Sequence, residues 1–144
     1  MTHEDAGHYS LKHPSGTEIN QQIADRIKAA VVGNMITCKA AHKIADELGV
    51  KPGDVGVTVD LLEVRISKCQ LGLYGYGTEG KVVRPAKVVS PELDAAIGKS
   101  AVNGKLTCLE SWKIAKEFGI TRMEISSACE TLKIKMSSCQ LGSF

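Results

Sequence analysis

Shifted by 70 positions, the chain falls on itself. Ile36-Thr37-Cys38 meets Leu106-Thr107-Cys108, Lys43-Ile44-Ala45 meets Lys113-Ile114-Ala115, and Leu48-Gly49-Val50 meets Phe118-Gly119-Ile120. Farther on, Ser67, Cys69, Gln70, Leu71 and Gly72 meet Ser137, Cys139, Gln140, Leu141 and Gly142 without a gap. A match at one fixed period is the mark of a tandem duplication. It divides the chain into a polar N-terminal tail at 1–16, a first module at 17–89 and a second at 90–144. With 144 residues, 43% of them apolar, each module stands near the lower size limit for an independent core.

Each module reads as three helices and a strand, a mainly α fold with a small β component. The first helix is expected to open at Thr17 and at Ser90, where Ser90-Pro91-Glu92 supplies a hydroxyl cap, a proline at the first helical position and a carboxylate near the positive helix end. Ile19, Ile23, Ile27 and Ala30 recur at helical spacing, and Gly33-Asn34 and Asn103-Gly104 provide the stop. Thr107 with Glu110 and Thr121 with Glu124 have capping-box spacing, while Pro52 and Asp54 open the third helix of the first module. Val64–Leu71 and Ile134–Leu141 alternate like strands, with a phase slip at Ser67-Lys68 and Ser137-Ser138 that predicts a bulge. The glycines between Gly72 and Gly80 then predict a turn, and Lys81–Val89 a returning strand interrupted by Pro85. The second module ends at Phe144 with no counterpart to that turn or strand.

Helix, short strand at 35–37, two helices joined through Gly49 or Gly119, strand, glycine-rich wing and strand form the element order of a winged helix. The chain resembles that branch of the helix-turn-helix proteins, and its Cys-Gln-Leu-Gly blocks are similar to those of a bacterial family that lends no activity. The resemblance implies double-stranded DNA as a partner, a transcription-regulatory role and a third helix in the major groove. The residues it singles out are Lys51, Arg65, Lys68, Lys81, Arg84, Arg122, Ser126, Ser127 and Lys133. The third helix of the first module fits this poorly. Between Pro52 and Glu63 it holds Asp54, Asp60 and Glu63 and no Arg, Lys, Asn or Gln, so it would repel a phosphate backbone. A protein-interaction adaptor with a degenerate winged helix is therefore the alternative.

A third alternative rests on the cysteines. Cys38 matches Cys108 and Cys69 matches Cys139, and pairing of the strands around the helices would bring Cys38 towards Cys69. Four such thiols could hold a metal or respond to redox change. Against this, no Cys-x-x-Cys pair is present, and buried cysteine commonly acts as a small hydrophobe. Cys129, opposite Val59, reads as core. His3, His8 and His13, with Tyr9 and Lys12, make the tail either a disordered segment or a strap across the modules, with added ligands for a cysteine site the weaker option. Gln70 and Gln140 are expected to satisfy loop backbone. Gly72–Gly77 opens no helix and precedes no Gly-Lys-Ser/Thr, which excludes a phosphate loop. No nucleophile–base, zinc-protease or paired-carboxylate pattern stands out, so a non-enzymatic protein without cofactor is expected. No apolar run approaches the roughly 20 residues of a membrane span, and Met1–Ser10 has no secretory core, so the expectation is a cytoplasmic chain without membrane contact.

Overall fold

The computed structural model describes residues 8–144, which form six α-helices and four short strands. They separate into two compact units. The first takes the chain up to Cys69 together with Gln140–Phe144, and the second is Gln70–Cys139.

In the first unit a 3-10 turn at Tyr9–Lys12 precedes α1 (Gln21–Ala30), β1 (Met35–Thr37), α2 (Cys38–Leu48), α3 (Pro52–Leu61) and β2 (Arg65–Ser67). Helix α1 starts later than the Thr17 expected. Asn20 is its cap, its Oδ1 accepting from the Ile23 N–H at 3.2 Å, whereas the Thr17 hydroxyl donates to the Pro14 carbonyl in the preceding turn. Gly33-Asn34, both with positive φ, do not end the helix but make the two-residue turn of a tight hairpin between Val32 and Met35. Thr37 caps α2, and Gly49, at φ 65°, closes it in the left-handed conformation that glycine adopts without strain. Strand β1 pairs with β2 in parallel, Ile36 opposite Ile66, so α2 and α3 form the crossover that parallel pairing demands. Tyr9, Ile23, Ile27, Ile36, Leu141, Val55 and Val59 are the largest buried side chains here.

The second unit runs through α4 (Pro91–Ser100), β3 (Lys105–Thr107), α5 (Cys108–Phe118), α6 (Arg122–Leu132) and β4 (Lys135–Ser137), with β3 parallel to β4. Ser90 caps α4 as the sequence predicts, and Thr121 and Glu124 exchange both bonds of a capping box at α6. Thr107 and Glu110 complete only half of one. The threonine hydroxyl accepts the Glu110 N–H, while the Glu110 carboxylate turns to Lys113. Ile97, Leu106, Ile114, Ile125 and Cys129 fill the core.

Two expectations need correction. The strands at 64–71 and 134–141 shrink to three residues each, because Lys68 and Ser138 have φ of 50° and 51°, which turns the backbone out of the ladder. The predicted bulge is thus the strand end. The wing and returning strand are likewise absent. Residues 81–89 form no strand; the Val82 and Val83 N–H groups both reach the Gly72 carbonyl, the Ala86 N–H reaches Ser127, and Pro85 has none to offer.

The glycines give a test. A Cβ on Gly56, within α3, would run into the Leu141 carbonyl, whose carbon lies 2.7 Å away, whereas a Cβ on Gly98 in α4 would meet nothing within 4 Å. Gly56→Ala should therefore destabilise by about 1–3 kcal/mol through overpacking, although alanine is the better helix former. Gly98→Ala should stabilise by up to about 1 kcal/mol. Chemical denaturation of the two variants should give opposite signs; equal shifts would mean that 140–144 does not lie on α3.

Candidate functional site

Helix α3 is buried on much of its circumference, through Val55, Gly56, Thr58, Val59 and Asp60. The reason lies in the chain around it. Backbone N–H groups of Tyr9 and Ser10 each donate to the Glu63 carboxylate at 2.9 Å, and the Tyr9 ring is fully buried. The Ser10 N–H holds the Glu63 carboxyl below its ordinary 4.5, outweighing the upward push of desolvation; the Ser10 hydroxyl, Tyr9 N–H and His8 charge add to it. One turn earlier Asp60, only 3% exposed, receives Lys12 Nζ at 3.1 Å and His13 Nε2 at 2.8 Å on the same oxygen. Lys12 also donates to the Gly142 carbonyl at 2.9 Å. Gly53 and Gly56 admit the backbone of Gln140 and Leu141 to the same helix. From position 9 onward the tail is therefore a strap over α3 within the first unit, not the strap across both modules that one tail reading expected.

Helix α6 is covered in its own unit. The Ala86 N–H donates to the Ser127 carbonyl at 3.0 Å, the Thr131 hydroxyl to the Ala86 carbonyl at 2.6 Å, and Lys81 forms an ion pair with Glu130. Glu130 stands 70 positions after Asp60, so both third helices carry an acid at this place and both meet a lysine from the segment preceding their unit's first α-helix. At the start of α6 the Arg122 guanidinium lies over the Trp112 ring, 3.4 Å from its centroid, and donates Nη1 to the Gln70 side-chain oxygen at 2.5 Å. Gln70, expected to satisfy loop backbone, thus accepts from a side chain.

The residues implied by the DNA-binding resemblance fall into three groups. Lys51, Arg65, Lys68, Arg84 and Lys133 are exposed, Lys51 as the residue that caps α3 through its backbone. Lys81 and Arg122 are engaged within their unit. Ser126 is 1% exposed and its hydroxyl has no partner among the described residues, and the Ser127 carbonyl is occupied. The buried Ser126 side chain presents no donor at the surface for a base to meet. Sequence reasoning missed the strap contacts of Asp60 and Glu63 and the Arg122–Trp112 stack. It also missed Lys105, which faces Lys135 across the β3–β4 ladder with Lys133 close in sequence. The acids of α3 were the available signal: an unmatched carboxylate on an apolar helix needs a cation or a hydrogen-bond partner, and Lys12 and His13 of the tail supply them.

Cys38, Cys69, Cys108 and Cys129 are buried thiols and Cys139 is partly buried. Among the described residues no three His, Cys, Asp or Glu side chains gather as a metal site; His3 lies outside those residues. Burial, helped by the charge of Glu130, pushes the Cys129 thiol up to about 11. No helix among the described residues is long and apolar enough to cross a membrane. No protein-family model, curated protein or solved structure matches the chain.

Two measurements check this arrangement. In a thiol titration of the native protein at neutral pH, Cys139 should react first and Cys129 last, because the thiolate is the reactive species; early reaction of Cys129 would contradict its place in the core. The strap should also respond to acid. A carboxyl held below its ordinary value stabilises the fold above that value and loses the contribution as pH falls through the lowered one. The Tyr9 and Ser10 amide resonances should accordingly shift together below about pH 4.5, and Glu63→Gln should abolish the transition. A transition that survives in Glu63→Gln would assign it to another group.

Proposed function

We propose that the protein is a non-enzymatic binding protein that engages a protein partner and does not read DNA through its third helices. The observation that carries this is the occupancy of those helices. A reading helix must present its side chains to base edges, and here Asp60 is taken by Lys12 and His13, while Glu130 is taken by Lys81. Uncovering α3 would break the Lys12 ion pair and the His13 hydrogen bond that stand in for water at Asp60. The absence of any catalytic motif from the sequence fits a binding role, and five cysteines present as thiols fit a reducing compartment such as the cytoplasm.

A second reading, association with the DNA backbone in a transcription-regulatory setting, is favoured by one observation. Lys105 and Lys135 are direct partners in the parallel ladder and both are exposed, a like-charge pairing that is unfavourable unless an anion lies between the two. Arg84 and Lys133 add exposed charge in the same unit. Titration of the full chain into a labelled mixed-sequence duplex at about 50 mM salt separates the readings, since weak non-specific affinity is the floor for DNA-binding proteins. The first expects no saturable binding up to tens of micromolar. Saturable binding that Lys105→Ala, Lys133→Ala and Lys135→Ala weaken, each lowering the log–log salt slope by about one unit, would establish the second. Binding lost through Ser127→Ala or Thr131→Ala in a folded protein would restore α6 as a reading helix and overturn the first.

A further inference from the structure

In the second unit a groove of about 620 Å³ opens beside the junction of α5 and α6, within the size range of sites that hold small ligands or a few peptide side chains. Trp112, Lys113, Lys116 and Arg122 supply its polar lining, Ile120 and Met123 its apolar wall, and among the described residues no carboxylate lines it. Lys113 is shared with Glu110 at 3.3 Å, whereas Lys116 is exposed and enters none of the observed ion pairs. Arg122 is oriented before any ligand arrives: its plane rests on the indole and one donor is fixed by Gln70. A guanidinium has five N–H donors in a rigid fork suited to a carboxylate, so the bond to Gln70 leaves most of that capacity.

The fold itself does not call for this charge. Seventy positions earlier, His42, Lys43, Asp46 and Pro52 stand where Trp112, Lys113, Lys116 and Arg122 stand. The first unit nevertheless builds the same helix pair, with Gly49 and Gly119 in the same left-handed conformation. An aromatic platform and two further cations therefore belong to the second unit alone.

We propose that this groove binds a short acidic segment of a partner protein. One aspartate or glutamate carboxylate sits on the Arg122 fork and Lys116, and a neighbouring apolar side chain lies against Ile120 and Met123. The proposal rests on the reading of the protein as a partner-binding module and names the chemistry of the partner. A peptide fits better than a nucleic acid. Exposed Glu117 and Glu124 stand on the same two helices, where a run of phosphates would be repelled and a single carboxylate can be accommodated.

Trp112 is the only tryptophan of the chain, so its emission reports on the groove directly. The test titrates the full chain with a blocked tripeptide of one glutamate between two leucines, with the same peptide carrying lysine in place of glutamate and inorganic phosphate as comparators. The glutamate peptide should change the emission saturably and the lysine peptide should not. Lys116→Glu, at an exposed position in the last turn of α5, should leave the protein folded and weaken binding by about tenfold or more, the worth of one charge-assisted contact. Arg122→Lys, which keeps the charge and loses the fork, should weaken it severalfold. The proposal fails if the glutamate peptide gives no saturable change, if the lysine peptide binds equally, or if Lys116→Glu has no effect. Displacement of the peptide by millimolar phosphate would make the site one for phosphate and overturn the carboxylate assignment. Because the probe is a peptide alone, failure here removes the groove, whereas saturable duplex binding in the preceding titration removes the partner reading, and the two are separable.

Discussion

Asp60 is a carboxylate in the interior of the first unit, and much of that unit is arranged around its charge. Removing an ionised carboxyl from water costs several kcal/mol unless cations and hydrogen bonds replace the water. Lys12 and His13 meet one of its oxygens, and both belong to the strap, so satisfying Asp60 fixes the strap on α3. Lys12 reaches in addition to the Gly142 carbonyl, which ties the C-terminal segment to the same point. The helix that a winged-helix DNA reader would expose thereby becomes a central core element. In the second unit the Lys81–Glu130 pair occupies the equivalent place with a more exposed carboxylate, and there the Ala86–Ser127 and Thr131–Ala86 bonds share in holding the covering segment.

Small residues and left-handed turns make the covering possible. Gly56 lets a carbonyl approach α3 more closely than any side chain would allow, and that carbonyl belongs to Leu141. The first unit thus keeps Cys69 but takes Gln140, Leu141 and Gly142 from the far end of the chain, while Gln70, Leu71 and Gly72 of the earlier block belong to the second unit with Cys139. Lys68 and Ser138, both left-handed, turn the chain out of its short strands just before each block. A residue there that tolerated positive φ less well would favour a longer strand.

Local rules were readable from the sequence wherever the determining atoms lie within a few residues. Ser90, Thr107 and Thr121 cap the helices expected of them, Gly49 and Gly119 close α2 and α5, and the mainly α fold with small strands is the one the periodicity indicates. Beyond that range the reading weakened for identifiable reasons. Alternation at 64–71 and 134–141 could not reveal the positive φ of Lys68 and Ser138, which reverses the chain. The glycines of 72–80 signalled a turn, but that Val82 and Val83 return to Gly72 instead of forming a strand depends on hydrogen bonds closed across the loop. Ser126 was counted among surface donors because its burial is set by packing around α6, and the acids Asp60 and Glu63 were read only as repelling phosphate because the groups they bind lie about fifty residues away. The stack of Arg122 on Trp112 is of the same kind, a contact between two helices with no spacing rule to announce it.

The central claim is that the strap closes on α3 through Asp60, and a double-mutant cycle on Lys12 and Asp60 measures that closure directly. Stabilities of the parent, Lys12→Ala, Asp60→Ala and the double variant give the coupling free of each side chain's separate effects. A closed strap predicts a coupling of about 1–3 kcal/mol, with Lys12→Ala less costly once the Asp60 carboxylate is removed. Coupling indistinguishable from zero would mean that the strap is not held through Asp60, and would contradict the account.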